Sequence, residues 1–361
     1  MIFGQKAFWL GAFGSVGFLG IFALLFVDFH LIGGVLRKAN YAYVAPSIFC
    51  YFIAVWFRST RWTFLLRPLI GQPKRNIYPV VVVGYMANNL IPIRIGEVIR
   101  SYYLSLRENC SASAALGTVA VERATDVLAL LFFLGAAGLM GTIGVERAVG
   151  DISAEVPGGA PVLAVAALLP FAAVSMIVII ISTAGTAKVI TWIDRMMFMV
   201  GTGLKTRLLQ MSERLLEGLT VVSTPSRFAK ACALSVPVWA AEAGMYYLIA
   251  MSFDLRQVFD SQLELIAVIL VFTSAANLAG VLPSTAGSWG PFDFFGAAAL
   301  IALGVGQEVA AAYALTVHVI LWIPPTILGV LLLVLDDRSL SGLMRGAKDS
   351  NQMTDRGNST A

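Results

Sequence analysis

The chain has 361 residues, of which 58% are hydrophobic and 13% are charged, and this balance excludes an ordinary soluble enzyme and is typical of a polytopic membrane protein. The lysines and arginines behind the net charge of +4 gather in particular loops, so we interpret them as a signal of membrane orientation rather than of nucleic-acid binding. The three cysteines show no Cys-x-x-Cys spacing and the two histidines lie far apart, so we expect no disulfide, metal or cofactor.

Long apolar stretches predict six transmembrane helices. A stretch of about 20 apolar residues is needed to span the hydrocarbon core, and such stretches lie near residues 7–27, 41–66, 112–144, 159–183, 231–252 and 308–335. The first could pass for a secretory signal, but no small-residue cleavage site follows it, so we interpret it as a retained helix. Two further apolar stretches, 77–91 and 263–282, run into Pro and Gly interruptions.

The charges of the loops predict the orientation of these helices. Cytoplasmic loops are rich in Lys and Arg, as are the loop after the second span and the connection 184–230, whereas 145–158 and 253–264 carry an excess of acids. In this orientation residues 77–107 enter the membrane from the cytoplasm and return to the cytoplasm. Residues 263–304 enter from the outside and return to the outside. The prediction is an all-α polytopic membrane protein with about six transmembrane helices and two oppositely oriented re-entrant hairpins in an inverted repeat.

We expect one transmembrane domain over residues 1–335, with both termini in the cytoplasm. Its first half is 1–144 and its second half is 159–335, and each contains one hairpin. Residues 184–230, between the spans, have leucines at helical spacing and charged residues elsewhere around the same helix. This pattern predicts an amphipathic cytoplasmic segment. This segment could be a structural linker or a contact with anionic lipid. The polar residues 336–361 are predicted to form a disordered cytoplasmic tail.

The two predicted hairpins bend at matching residue types. Each bend has an Asn, a Pro, a Gly and an acid, namely Asn89, Pro92, Gly96 and Glu97 in the first and Asn277, Pro283, Gly287, Gly290 and Asp293 in the second. Paired Gly and Pro interruptions in two halves of a chain indicate the midplane site of an inverted-repeat transporter. The alternative is that Pro and Gly simply end ordinary helices at the membrane surface.

Several ionisable residues lie where the sequence predicts the membrane interior. The run Glu122-Arg123-Ala124-Thr125-Asp126 begins roughly a dozen residues into the third span, near the bilayer centre. A charge there costs about 2.5 to 3.5 kcal/mol, so these side chains must face protein or water. Counter-ions from other segments are needed, and Arg61, Arg94 and Arg100 are candidates. A purely structural ion network is the alternative.

A second charged stripe follows the first bend. Arg94, Glu97 and Arg100 step by three residues along one helical face, so we expect Glu97 to pair with both arginines. The helix start after Pro92 would suit an anionic group such as a lipid phosphate. Alternatively, these arginines only snorkel toward head groups.

Single polar or aromatic residues complete the candidate site. Glu242 lies in the middle of an apolar span, Arg58 and Arg61 lie at the end of the second span, and His318 interrupts the last one, which makes each of them a site candidate. A lone histidine, however, more often packs between helices than relays protons. The candidate substrate-binding residues are therefore Arg61, Asn89, Arg94, Glu97, Arg100, Glu122, Arg123, Asp126, Glu242, Trp289, Asp293 and His318. The candidate bend residues are Pro92, Gly96, Pro283, Gly287 and Gly290.

Four motifs occur in order along the chain: Arg61-Trp62, Pro-x-Arg-x-Gly-Glu from Pro92, Glu-Arg-x-x-Asp from Glu122, and the bend from Pro283 to Asp293. In this order and spacing they resemble the lysylphosphatidylglycerol synthase transmembrane-region family. That family includes the flippase half of the multiple peptide resistance factor and many stand-alone membrane proteins. The similarity covers nearly the whole chain.

The resemblance implies a lipid-translocating module with inverted halves, and the charged motif positions of the family map onto Arg61, Arg94, Glu97, Arg100, Glu122, Arg123 and Asp126. The second bend departs from the usual Pro-Gly-Gly with a final Glu, because it has Ala286, Gly287, Ser288 and Asp293, and His318 occupies a position that is often Arg. These departures leave the lipid substrate open. The aminoacyl-transferring domain of longer relatives has no counterpart here, so we expect no aminoacyl transfer.

Three functions follow as hypotheses. The first is a flippase of the bacterial cytoplasmic membrane that moves a lipid with a polar or anionic head group. The second is a membrane enzyme acting on a lipid-linked phosphate or sugar, with Glu122 or Asp126 as general base. The third is a non-transporting partner of a separate lipid synthase or glycosyltransferase. The expected ligand is a membrane lipid, and the energy source and any homo-oligomer stay open.

Overall fold

The computed structural model describes residues 29–91, 95–140, 224–280 and 286–345 apart from 337, with a few single residues elsewhere. Within these ranges the protein is all-α, which confirms the predicted fold class. Some predictions fall outside the described residues, namely the spans at 7–27 and 159–183, the loop 145–158, most of the segment 184–230, the tail beyond 345, and Pro92, Arg94 and Pro283.

Nine α-helices of ten residues or more fill the described ranges. In chain order they are α1 (Phe29–Lys38), α2 (Val44–Ile70), α3 (Tyr78–Leu90), α4 (Gly96–Glu108), α5 (Ala112–Leu139), α6 (Pro225–Ser252), α7 (Gln262–Ala279), α8 (Pro291–Ala302) and α9 (Gln307–Leu335). Short 3-10 turns occupy Tyr41–Tyr43, Leu255–Gln257 and Ala286–Ser288.

Side-chain caps fix where the long helices begin. The Ser111 side chain accepts a hydrogen bond from the backbone N–H of Ala114, and Ser261 caps α7 in the same way. Thr224 caps α6, and Pro225 follows at the first helical position, where its missing N–H costs nothing. Residues 225–230 thus belong to α6 and not to the predicted surface segment, because the cap starts the helix before the apolar run begins.

The predicted disordered tail is partly ordered. Residues 340–345 form a short helix in which Leu343 is buried in the hydrophobic core. The prediction of disorder was therefore wrong for this stretch. The reason is that Leu343 and its apolar neighbours have core surface to cover, which composition alone does not show.

Four stretches within the described ranges are long and apolar enough to cross a membrane: Tyr41–Ile70, Pro225–Ser252, Gln262–Ala279 and Gln307–Leu335. Helix α5 has the same length as α6, 28 residues. It is not one of these four stretches, because any 18 consecutive residues in it contain three charged residues, Glu122, Arg123 and Asp126. Large apolar side chains such as Phe49 and Leu139 are exposed on the outside of the bundle. The protein is a multi-pass membrane protein.

The helices pack in a reciprocal pattern that relates the two halves. The order of a long helix, two hairpin helices and a long helix occurs twice, as α2 to α5 and as α6 to α9. The hairpin helix α3 packs against α9 of the other half, and its counterpart α7 packs against α5, while α2 packs against α6. This pattern is the one expected of an internal repeat with a two-fold relation.

Helix lengths bear on whether the hairpins cross the membrane. Helices α3 and α4 have 13 residues each and α8 has 12. At about 1.5 Å per residue these helices span about 20 Å or less, against a hydrocarbon core about 30 Å thick. Helix α7, with 18 residues, comes closer to that thickness. That the hairpins re-enter the membrane from opposite faces stays a prediction.

The first hairpin closes on a glycine. The backbone N–H of Gly96 donates a 2.8 Å hydrogen bond to the Asn88 side chain, and a Cβ added at Gly96 would collide with the backbone carbonyl of Gly84. Only a residue without a side chain allows α3 and α4 to approach this closely.

We expect Gly96→Ala to lower the free energy of unfolding by about 1 to 3 kcal/mol, because a backbone carbonyl must move to admit the methyl group. Thermal unfolding in detergent measures the change. The control is Gly135→Ala in α5, where a Cβ would meet no atom within 4 Å; this change should be neutral or stabilising, since alanine favours a helix. Equal melting temperatures of the two variants would contradict the close approach of α3 and α4.

Candidate functional site: a charged cavity lined by both halves

A cavity of about 550 Å³ lies between the two hairpins. Helices α2 to α9 line it, together with the turn at 286–288, so both halves of the chain contribute. Its walls mix apolar and polar side chains, and the charged ones are Arg58, Glu97, Arg100, Arg123, Asp126 and Glu242. Ligand sites are concave and contain convergent polar groups, as this cavity does.

Arg61 is the buried centre of the main charge cluster. Its side chain is fully buried on α2, and its Nη1 donates hydrogen bonds of 2.6 Å to the carboxylate of Asp126 and to the Ser235 hydroxyl. Its Nη2 lies 3.0 Å from the Glu122 carboxylate. The indole N–H of Trp239 also donates to Asp126. Arg61 thus joins α2, α5 and α6 and does not line the cavity.

Arg123 is held more loosely and is open to the cavity. Its nitrogens lie between 3.3 and 3.6 Å from carboxylate oxygens of Glu97, Glu122 and Asp126. Its side chain is 38% exposed, whereas that of Arg61 is 0% exposed. A guanidinium with long ion pairs and an accessible face can change partners, so Arg123 is the better placed of the two to bind an anion.

Arg100 is the second cavity-lining cation of this cluster. It donates a 3.1 Å hydrogen bond to Glu122, and its guanidinium stacks 4.7 Å from the ring of Trp62. The Nε atoms of Arg100 and Arg123 have no hydrogen-bond acceptor among the described residues. The predicted pairing of Arg100 with Glu97 was wrong, because both α4 and α5 face the cavity and bring Glu122 closer to Arg100.

The cluster is balanced in charge. Three arginines, Arg61, Arg100 and Arg123, face the three carboxylates Glu97, Glu122 and Asp126. Buried charges persist only when paired, and this pairing explains how α5 tolerates ionisable residues in its middle. A ligand phosphate can compete for those cations that lie at the cavity wall.

A second ion pair lies across the cavity. Arg58 on α2 pairs with Glu242 on α6, and it also donates a 3.1 Å hydrogen bond to the Tyr85 hydroxyl. The Tyr246 hydroxyl donates to Glu242 and accepts from the Asn277 side chain. The sequence made both residues candidates as ionisable groups in apolar spans, but it did not predict that Arg58 pairs with Glu242.

The second bend is tied to α9 by a histidine. His318 lies 2.8 Å from a carboxylate oxygen of Asp293 through its Nδ1, and 2.8 Å from the carbonyl oxygen of Gly287 through its Nε2. Trp289 stacks on the imidazole with 4.0 Å between ring centroids. Gly287 and Gly290 both have positive φ, which permits the sharp turn that brings these groups together.

The first hairpin is also tied to α9. The Asn89 side chain donates hydrogen bonds to the carbonyl oxygen of Trp322 and to the Thr326 hydroxyl, and the Trp322 indole N–H donates to the Asn89 carbonyl. Both bends therefore contact the last helix, α9, at the wall of the cavity. The described members of the predicted site divide into the charge cluster, Glu242 with its partner Arg58, the groups around His318, and Asn89, which contacts Trp322 and Thr326.

Comparison with known proteins gives the same assignment as the motifs. The family described as "Lysylphosphatidylglycerol synthase TM region" matches residues 9–329. A UPF0104 membrane protein of Methanocaldococcus jannaschii is 32% identical over 123 residues, which are 33% of this chain and 36% of that protein. A second, from Methanothermobacter thermautotrophicus, is 33% identical over 100 residues, covering 27% of this chain and 30% of the relative.

The glycosyltransferase AglD of Haloferax volcanii is 27% identical over 112 residues, which are 31% of this chain and 18% of AglD. The matched segments thus span about a third or less of these relatives. No solved structure matches the chain. Because the family match extends over nearly all of the chain, the protein belongs to the lysylphosphatidylglycerol synthase transmembrane-region family.

Proposed function

We propose that this protein is a lipid transporter of the flippase type, which moves a lipid with an anionic or polar head group across the bacterial cytoplasmic membrane. The observation that carries the proposal is a cavity that both halves line and to which the first half contributes Arg58, Arg100 and Arg123. Cations inside a membrane domain are expensive to bury and mark the path of a polar substrate.

The head group would bind where the arginines are accessible. A lipid phosphate carries several acceptor oxygens, and the guanidinium of Arg123, whose side chain is 38% exposed, offers it donors. Glu97, Glu122 and Asp126 hold the guanidinium groups in place and neutralise them between substrates. The acyl chains stay in the lipid phase, so the cavity of about 550 Å³ has to accept only the head group.

Reconstitution into vesicles tests this function. Vesicles of phosphatidylethanolamine and phosphatidylglycerol carry a trace of head-group-labelled phosphatidylglycerol, and a reductant outside reports the fraction of label in the outer leaflet. We expect the label to cross faster with the protein than in protein-free vesicles, and faster than a label on a neutral glycolipid. Identical kinetics with and without protein would contradict a transport function.

A non-transporting partner of a separate enzyme is the second candidate. Its support is the similarity to part of a protein named as a glycosyltransferase. Under this alternative the protein would copurify with a synthase or glycosyltransferase and would move no labelled lipid. A membrane enzyme that uses Glu122 or Asp126 as general base is less well supported, because both carboxylates are engaged by buried arginines.

Orientation in the membrane is part of the proposal, and Cys110 tests it. This residue lies between α4 and α5, and we place it with both termini on the cytoplasmic side. Burial, aided by the charge of Glu108, raises the pKa of the Cys110 thiol, so less of the reactive thiolate is present at neutral pH and labelling should accelerate as pH rises.

The measurement uses a variant with Cys50→Ser and Cys232→Ser, so that Cys110 is the one thiol left of the three in the sequence. We expect a membrane-impermeant maleimide to label inside-out membrane vesicles and not intact cells. Labelling of intact cells at the same rate would reverse the orientation.

A further inference from the structure

The contacts of His318 fix how many protons the second bend holds. The carbonyl oxygen of Gly287 can only accept, so Nε2 of His318 carries a hydrogen and donates it. The 2.8 Å contact between Nδ1 and the Asp293 carboxylate then needs one more hydrogen between these two atoms. Either His318 is a cation beside a carboxylate, or a neutral imidazole accepts from a protonated Asp293.

Loss of one proton would break one of the two contacts of His318. A neutral His318 has a single N–H for two acceptors, so either Nδ1 presents a lone pair to the ionised Asp293 or Nε2 presents one to the Gly287 carbonyl. In both cases two acceptors face each other at 2.8 Å and repel, and both side chains are buried. The other oxygen of Asp293 already accepts from the Gly290 backbone N–H, which ties the carboxylate to the bend.

Other charged groups near His318 are already paired among themselves. The elements packed against α9 or facing it across the cavity present Arg58 from α2, Tyr85 from α3, Glu97 and Arg100 from α4, Arg123 and Asp126 from α5, and Glu242 from α6. These form ion pairs and hydrogen bonds with one another or, for Arg100, with Glu122. On α1, Arg37 and Lys38 are exposed. Asp293 on α8 is thus the carboxylate that pairs with His318.

We propose that His318 and Asp293 form a proton-binding site which fastens the second bend to α9, and that release of its proton frees the bend and couples lipid transport to a proton gradient. This inference rests on the proposed transport function and names its coupling ion. With the proton bound, the bend is closed over the cavity wall. When the proton passes to cavity water, the repelling pair separates and the bend moves away from α9. Reprotonation from the other side closes it.

Nitrogen NMR tests the proton site without any transport measurement. The chain has two histidines, so His30→Ala leaves His318 as the one histidine signal in protein labelled with ¹⁵N-histidine. The spectra are recorded from roughly pH 5 to 8, and we expect one of the two ring nitrogen signals to shift when the shared proton is removed. In Asp293→Asn the amide N–H₂ can donate to Nδ1 and its oxygen can accept from Gly290, so the bend stays closed and the signal should not shift. A wild-type signal that is constant across this range would overturn the proposal.

Transport under an imposed pH gradient tests the coupling. We expect a gradient to accelerate the movement of labelled phosphatidylglycerol by the wild type, and Asp293→Asn to lose that acceleration. Glu308→Gln, which removes a carboxylate from the first turn of α9 away from the cavity lining, should keep it. Wild-type transport that ignores the gradient would overturn the coupling and leave the transport function intact. Absence of wild-type transport under any gradient would overturn both.

Discussion

Replacing Arg123 by alanine should slow the transport of labelled phosphatidylglycerol by about 10- to 100-fold. This range corresponds to losing a charge-assisted hydrogen bond worth about 1.5 to 3 kcal/mol. Arg123 is the arginine of the charge cluster with the most accessible side chain, and its ion pairs are long. The protein should still fold, because Arg61 and Arg100 continue to pair with Glu122.

Two control variants separate this effect from a general loss of charge. Arg123→Lys keeps a cation but not the planar fork, so we expect an intermediate rate. Arg37→Ala removes an exposed arginine at the end of α1, and transport should be unchanged. If Arg123→Ala transported at the wild-type rate while the melting temperature was also unchanged, Arg123 would not be part of the substrate path.

The largest effect on stability is expected from Arg61→Met. The change leaves Glu122 and Asp126 with one buried positive charge too few, and breaking a buried pair in this way costs about 3 to 5 kcal/mol. It also removes the contact to Ser235 that joins α2 to α6. Unfolding in mixed detergent micelles, followed by circular dichroism, gives the free-energy difference.

A second substitution should restore part of the loss. Asp126→Asn added to Arg61→Met removes one negative charge, so the cluster is again balanced, with two arginines facing two carboxylates. We expect the double variant to be more stable than Arg61→Met alone. If Arg61→Met has the same free energy of unfolding as the wild type, the buried cluster does not stabilise the fold.

The sequence identified the charged residues but not all of their partners. Within the described ranges, hydropathy located the long helices approximately, because a membrane helix needs an unbroken apolar run. Charges within such runs had to be paired, which correctly made Arg61 and Arg100 candidate counter-ions for Glu122. Local spacing also suggested that Glu97 pairs with Arg100. The packing of α5 against α4 instead brings Glu122 to Arg100 and Arg123 to Glu97.

Other features of the site depend on contacts that no local pattern contains. Arg58 and Glu242 are 184 positions apart, and they meet because α2 packs against α6. The tie between His318 and the Gly287 carbonyl requires positive φ at Gly287, which the sequence permits but does not demand. Helix α6 also begins earlier than its apolar run, because the Thr224 cap and Pro225 set its start.

A cryo-EM structure of the protein in lipid nanodiscs tests the central claim most directly, because the density of the disc locates the bilayer. We predict that the first hairpin, Tyr78–Glu108, enters from one face and the second, Gln262–Ala302, from the other. Their bends should then lie near the midplane, with the Arg123 side chain between them. Hairpin helices that cross the whole bilayer, with Arg123 at its water boundary, would contradict this account.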